Sequence, residues 1–148
     1  MAIRNPILVK SITNTATSGT TNYDFFIPQD TDSVTVKLYT GTFTGTNPTL
    51  DVYVQTTDDG GVTWYDLGHF AQLVAAVTKQ NANWMTFSTN TAFIAPSVSG
   101  ASTLGAGKAA PVPILSTLMR VAVIVGGTQV ANAGTEVRVY SASQARGQ

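Results

Sequence analysis

The chain contains no cysteine, which excludes disulfide staples and thiolate metal sites. Charge is scarce. Only 11% of its 148 residues are charged, against about 25% in an ordinary soluble domain. Eight basic and eight acidic residues cancel, so there is no basic patch for a nucleic acid. Histidine is limited to His69 and glutamate to Glu136. One imidazole without thiols is too little for zinc. A hydrolytic triad needs a nucleophile, a base and an orienter in mutual reach. His69 could be a base and Asp66 lies close to it in sequence, but no Gly-x-Ser-x-Gly elbow is present. Long apolar runs are also missing. Ile7–Val9 is cut short by Lys10, too short for a signal-peptide core, and nothing approaches membrane-spanning length. These absences predict a chain made in a cytoplasm, with no catalytic residue, cofactor or metal and no membrane partner.

What the chain does have is alternation. Thr49–Asp66, TLDVYVQTTDDGGVTWYD, alternates, turns on Asp58-Asp59-Gly60-Gly61 and alternates again. Leu50, Val52 and Val54 are set to point one way and Asp51, Tyr53 and Gln55 the other, the period-2 pattern of a half-buried strand. Gly60 and Gly61 supply positive φ for the turn. Short apolar runs recur between Gly, Asn, Asp, Pro and Thr clusters, and no segment carries a helical stripe. The spacing predicts strands at Ile7–Thr13, Tyr23–Ile27, Ser33–Tyr39, Thr49–Thr56, Val62–Leu67, His69–Leu73, Trp84–Ser88, Leu118–Val125 and Thr135–Ser141. Gly126-Gly127 is expected to close the Leu118 strand. The fold class is therefore all-β, an antiparallel β-sandwich of one domain over residues 1–148.

Leu118–Val125 departs from simple alternation. It is apolar on both faces except at Arg120, as in a strand covered on both sides. Either the segment Pro96–Pro113 covers its outer face or another subunit does. The second case predicts a homo-oligomer, a trimer, with Leu118, Met119, Val121, Ala122, Val123 and Ile124 at the interface. Pro96–Pro113, PSVSGASTLGAGKAAPVP, is rich in Ala, Gly and Ser, and reads as an arm that orders on a partner. Residues 1–6 and the tail 142–148 lack core-forming side chains and are expected to fray.

Thr57, Asp59, Gly61, Thr63 and Trp64 fill all five defined positions of the Asp-box, Ser/Thr-x-Asp-x-Gly-x-Thr-Trp, and the segment resembles that motif. The resemblance implies a hairpin turn in which Asp59 accepts backbone amides and Trp64 packs beneath. Sialidases carry several copies on a propeller. One copy in a chain too short for a propeller transfers the turn, not the activity. Asp30 with Asp32, and Asp58 with Asp59, offer oxygen for calcium but lack EF-hand spacing. Trp64, Tyr65, Trp84, Tyr53 and Tyr39 could form a sugar-stacking platform or simply belong to the core.

The whole chain, charge-poor, Thr-rich and opening on Met-Ala-Ile-Arg with VYVQTTDDGGVTWYDLGHF at its centre, resembles small virion structural proteins of tailed bacteriophages, among them head decoration (cement) proteins. The resemblance implies a jelly-roll-like sandwich and a non-catalytic role in the virion, bound to the major capsid protein or another virion protein and stabilising the head surface. Arg4 and Lys108 are then candidate contacts with the shell. The alternative is a tail-associated, receptor-binding or carbohydrate-binding module.

Overall fold

The computed structural model of the chain describes residues 6–74, 81–88 and 116–143. Eight strands follow one another: β1 (Ile7–Asn14), β2 (Gly19–Phe26), β3 (Ser33–Thr40), β4 (Phe43–Thr56), β5 (Tyr65–His69), β6 (Asn81–Ser88), β7 (Leu118–Asn132) and β8 (Thr135–Ala142). They form two four-stranded sheets, β1-β8-β3-β6 and β2-β7-β4-β5, with every pairing antiparallel.

The pairings β4·β5, β3·β6, β2·β7 and β1·β8 are nested. The chain is thus one long hairpin, rolled up, with its tip between β4 and β5. The segment that alternates most clearly in the sequence is that tip. Rolling brings β3 beside β8 and β4 beside β7. At the bend between sheets, the Gly41 amide donates to the Gly134 carbonyl at 2.9 Å and the Ala133 amide to the Thr42 carbonyl at 2.8 Å.

Alternation fixes which face is buried. Val34, Val36 and Leu38 of β3, Val52 and Val54 of β4, Met119, Val121 and Val123 of β7, and Val137 and Val139 of β8 meet in one core. Most are β-branched, which suits the pleated backbone. Each fully buried side chain contributes roughly 1.5–3 kcal/mol of transfer free energy.

The sequence reading needs four corrections. First, Gly126-Gly127 does not end β7. The strand runs on to Asn132 through irregular register against β4. Gly127 sits at φ +107°, and a Cβ there would lie 2.7 Å from the Asn47 carbonyl oxygen, so glycine permits the bend rather than a stop. Second, residues 57–64 form the turn, so the returning strand starts at Tyr65 and ends at His69. His69–Leu73 is not a strand of its own, although Leu73 makes an isolated bridge to Leu50. Third, β8 includes Ala142, and its neighbour Ser141 is buried, so this part of the tail is held. Fourth, Met119, Val121 and Val123 are completely buried within the subunit core and cannot form an interface. Strict alternation places them inward with Tyr23 and Phe25 of β2. The segment Pro96–Pro113 lies outside the described residues, as do residues 1–5 and 144–148.

Candidate functional site

The hairpin tip is built as the Asp-box resemblance implies. The Asp59 carboxylate accepts the amides of Val62 at 3.0 Å and Thr63 at 2.8 Å, and the Thr57 hydroxyl at 2.8 Å. The Thr57 hydroxyl oxygen in turn accepts the Gly61 amide at 2.9 Å. Gly60 and Gly61 take φ of +75° and +99°, where other residues would be strained. The Trp64 indole N–H donates to the Gly61 carbonyl at 3.0 Å. Hydrogen bonds from the Thr63 backbone and side chain, then from Thr57 and Val62, hold the Asp59 carboxyl far below its ordinary value of 3.8. At Tyr65, loss of hydration raises the phenol pKa, and the charge and hydrogen bond of Asp58 add to that.

A polar row crosses the outer face of β2-β7-β4-β5 next to this turn. Register aligns Asp24, Arg120, Gln55 and Asp66 on successive strands. Arg120 makes a bidentate pair with Asp24 at 2.6 and 3.0 Å, a geometry that fits guanidinium to carboxylate. Its guanidinium lies 3.9 Å from the Trp64 ring centroid, a cation–π contact. The Gln55 amide donates to Asp66 at 2.7 Å. This explains the double apolarity of Leu118–Val125. Its outward positions are Leu118, Arg120, Ala122 and Ile124, and Ala122 is already buried.

The next row holds the single histidine. His69 Nε2 lies 2.8 Å from Asp51 Oδ1, and Gln72 donates to the other Asp51 oxygen at 2.7 Å. The Tyr53 ring stacks on His69 at 3.8 Å. Burial, followed by the charges of Asp51 and Asp66, raises the Tyr53 phenol. The sequence set Asp66 beside His69; the structure supplies Asp51 as a partner, 18 residues away. A bulge between Val54 and Gln55 sets the register Tyr53↔His69, which brings Asp51 within reach. His69 is only 3% exposed, so this group is a packed polar cluster rather than an open cleft. Among the described residues no three His, Asp or Glu side chains gather as a metal site.

The suggested aromatic platform divides between two surfaces. Trp64 and Tyr53 belong to the outer face of β2-β7-β4-β5. Tyr39 and Trp84 belong to the outer face of β1-β8-β3-β6, on the rows set by Lys37↔Trp84 and Tyr39↔Glu136. Arg4 and Lys108 lie outside the described residues.

A grouping the sequence reading missed appears at the hairpin-tip end. Ile7, Ser141, Ala142, Ser33 and Ser88 align across the first sheet, and Phe26, Leu118, Thr56 and Tyr65 across the second. The Ile27 amide bonds the Thr117 carbonyl at 2.8 Å. Of the six exposed large apolar side chains among the described residues, Ile7, Leu8, Phe26 and Val62 lie here, Phe26 at 73% and Val62 at 85% exposure, while Val74 and Trp84 lie elsewhere. Leu118, the cross-strand partner of Phe26, lies against Gly61 beside Val62. An apolar strip therefore runs from Phe26 to the turn. Nesting of the strand pairs is the signal that could have found this grouping.

Compared with known protein families, curated proteins and solved structures, the chain matches none of them.

Proposed function

We propose that this protein is a non-catalytic structural protein of a tailed-bacteriophage virion, a capsid decoration protein that binds and stabilises the head surface, and that the hairpin-tip end is its seat on the shell. The observation that carries the reading is the collection of exposed Ile7, Leu8, Phe26 and Val62 at one end of the sandwich. Large side chains of this kind in water mark a surface that a protein partner covers. The strand order β1-β8-β3-β6 with β2-β7-β4-β5 supports reading the sandwich as a jelly roll. That fold serves viral capsids and lectins alike, so it supports the class without deciding it.

The non-catalytic part of the reading is supported by His69, which is buried between Asp51 and Tyr53. The partner is the major capsid protein or another virion protein, and the place of work is the virion after synthesis in the host cytoplasm. The protein also self-associates, as a trimer, with Ile124 as the outward position of β7 open to a neighbouring copy. The experiment is mass spectrometry of purified particles followed by a cryo-EM map. The expected result is this chain on the head exterior with Phe26 and Val62 against the shell. Its absence from particles would overturn the reading.

A further inference from the structure

The outer face of β1-β8-β3-β6 carries a different surface. Register places Ser11, Arg138, Lys37 and Trp84 in one row across the four strands. Tyr140, Thr35 and Thr86 form the row on one side, and Glu136 and Tyr39 lie on the other. Trp84 is 69% exposed, although an indole in water forgoes one of the largest apolar burials any side chain offers. The rings and cations interleave. Lys37 Nζ lies 5.3 Å from the Tyr140 centroid, and the Arg138 guanidinium 5.0 Å from that of Tyr39. Hydrogen bonds that Arg138 donates to Glu136 and Tyr140 raise its pKa further. Glu136 is the carboxylate of this face and is engaged by Arg138. No described carboxylate forms an ion pair with Lys37.

We infer that this face binds an acidic oligosaccharide, with Trp84 stacking on a pyranose ring and Lys37 meeting the sugar's carboxylate or sulfate. Three features select that ligand. The indole offers an exposed apolar plane on a rigid strand, which a sugar's C–H face can cover. Thr35 and Thr86, joined at 3.0 Å, place hydroxyls beside it for the polar edge of the ring. Lys37, which no described carboxylate pairs, favours a negative ligand over a neutral one. Trp84 and Tyr140 stand two strand spacings and one row apart, about 12 Å, room for more than a single sugar. The inference rests on the carbohydrate-binding alternative and not on the virion reading, and the two surfaces are separable by mutation.

The test is a printed array of sialylated, uronate-containing, sulfated and neutral oligosaccharides, probed with the purified protein at low and high salt. Trp84→Ala and Lys37→Gln are compared with the parent chain, with circular dichroism confirming the fold of each. Binding to acidic glycans that falls at least tenfold in Trp84→Ala, and that weakens in Lys37→Gln and at high salt, supports the site. Failure of the parent to bind any glycan, or preference for neutral glycans, overturns it. So does binding that Trp84→Ala leaves unchanged. Loss of self-association in Trp84→Ala without glycan binding would make the face a contact between copies and also overturn it. Particle occupancy is read separately, so failure here leaves the virion proposal standing.

Discussion

At the far end of the sandwich from the hairpin tip, asparagines close the structure. Asn14 donates to the Tyr23 hydroxyl at 2.9 Å and accepts the Ala16 amide at 3.1 Å. Asn132 donates to the Ala16 carbonyl at 3.1 Å and accepts the Gly134 amide at 3.1 Å. The β1–β2 and β7–β8 turns are tied together there, and Asn14 is buried. At the hairpin-tip end the Asp59 turn is held by its own hydrogen bonds, while Ile7, Leu8, Phe26 and Val62 stand in water. Buried polar groups satisfied by one another stabilise a domain from within. Exposed apolar groups contribute nothing until a partner removes them from water. The contrast teaches that one end is closed by its own hydrogen bonds, while the other carries apolar surface that the proposed docking would cover.

Substitutions sort along the same division. Met119→Ala removes a completely buried side chain and is expected to cost about 2–5 kcal/mol. Thermal melts at several protein concentrations check it. The loss should be the same at each, because Met119 lies in the subunit core and not between subunits. Asn14→Ala breaks the closing network at the asparagine end. It should cost about 1–3 kcal/mol by urea titration, since buried partners lose their bonds.

Asp59→Ala acts at the opposite end and should lower the melting temperature by a smaller amount. Its pH dependence has a definite sign. The folded carboxyl is held below its ordinary value of 3.8. Its stabilising effect is complete above that value and is lost as pH falls through the lowered one. The gap between parent and variant should therefore narrow as pH falls from 3.8 toward about 2. A difference independent of pH would contradict the role given to the carboxylate. The smallest effect on stability belongs to the paired change Phe26→Asp with Val62→Asp. Both side chains are already in water, so each should shift stability within about 0.5 kcal/mol.

Much of this division was readable before the fold was known. The alternation of Leu50, Val52 and Val54 and the Asp-Asp-Gly-Gly turn declared the β4–β5 hairpin, because a half-buried strand and a positive-φ turn both leave local signals. The Asp59 bonds were legible through the Asp-box resemblance of Thr57, Asp59, Gly61, Thr63 and Trp64. The extension of β4 back to Phe43 was not. It passes Gly45 and Pro48 through two shifts of register against β7, and irregular pairing erases the period on which a reading depends. Nor was the second face of Leu118–Val125. Its cover comes from groups distant in sequence, such as Trp64 lying on Arg120, and an apolar pattern is the same whether its cover is internal or foreign. The pairing of Asp51 with His69 depends on a bulge that no residue type announced. The exposed apolar end required the nesting of the strands, which brings Ile7, Phe26 and Val62 to one place from three separate segments.

The most direct test of the central claim is occupancy on purified phage heads stripped of this protein and then mixed with the parent chain, with the Phe26→Asp, Val62→Asp variant, or with Asn14→Ala below its melting temperature. The account predicts that the parent and Asn14→Ala decorate the heads, while the doubly charged variant, folded and as stable as the parent, stays in solution. Full occupancy by that variant would contradict the assignment of the hairpin-tip end as the docking surface.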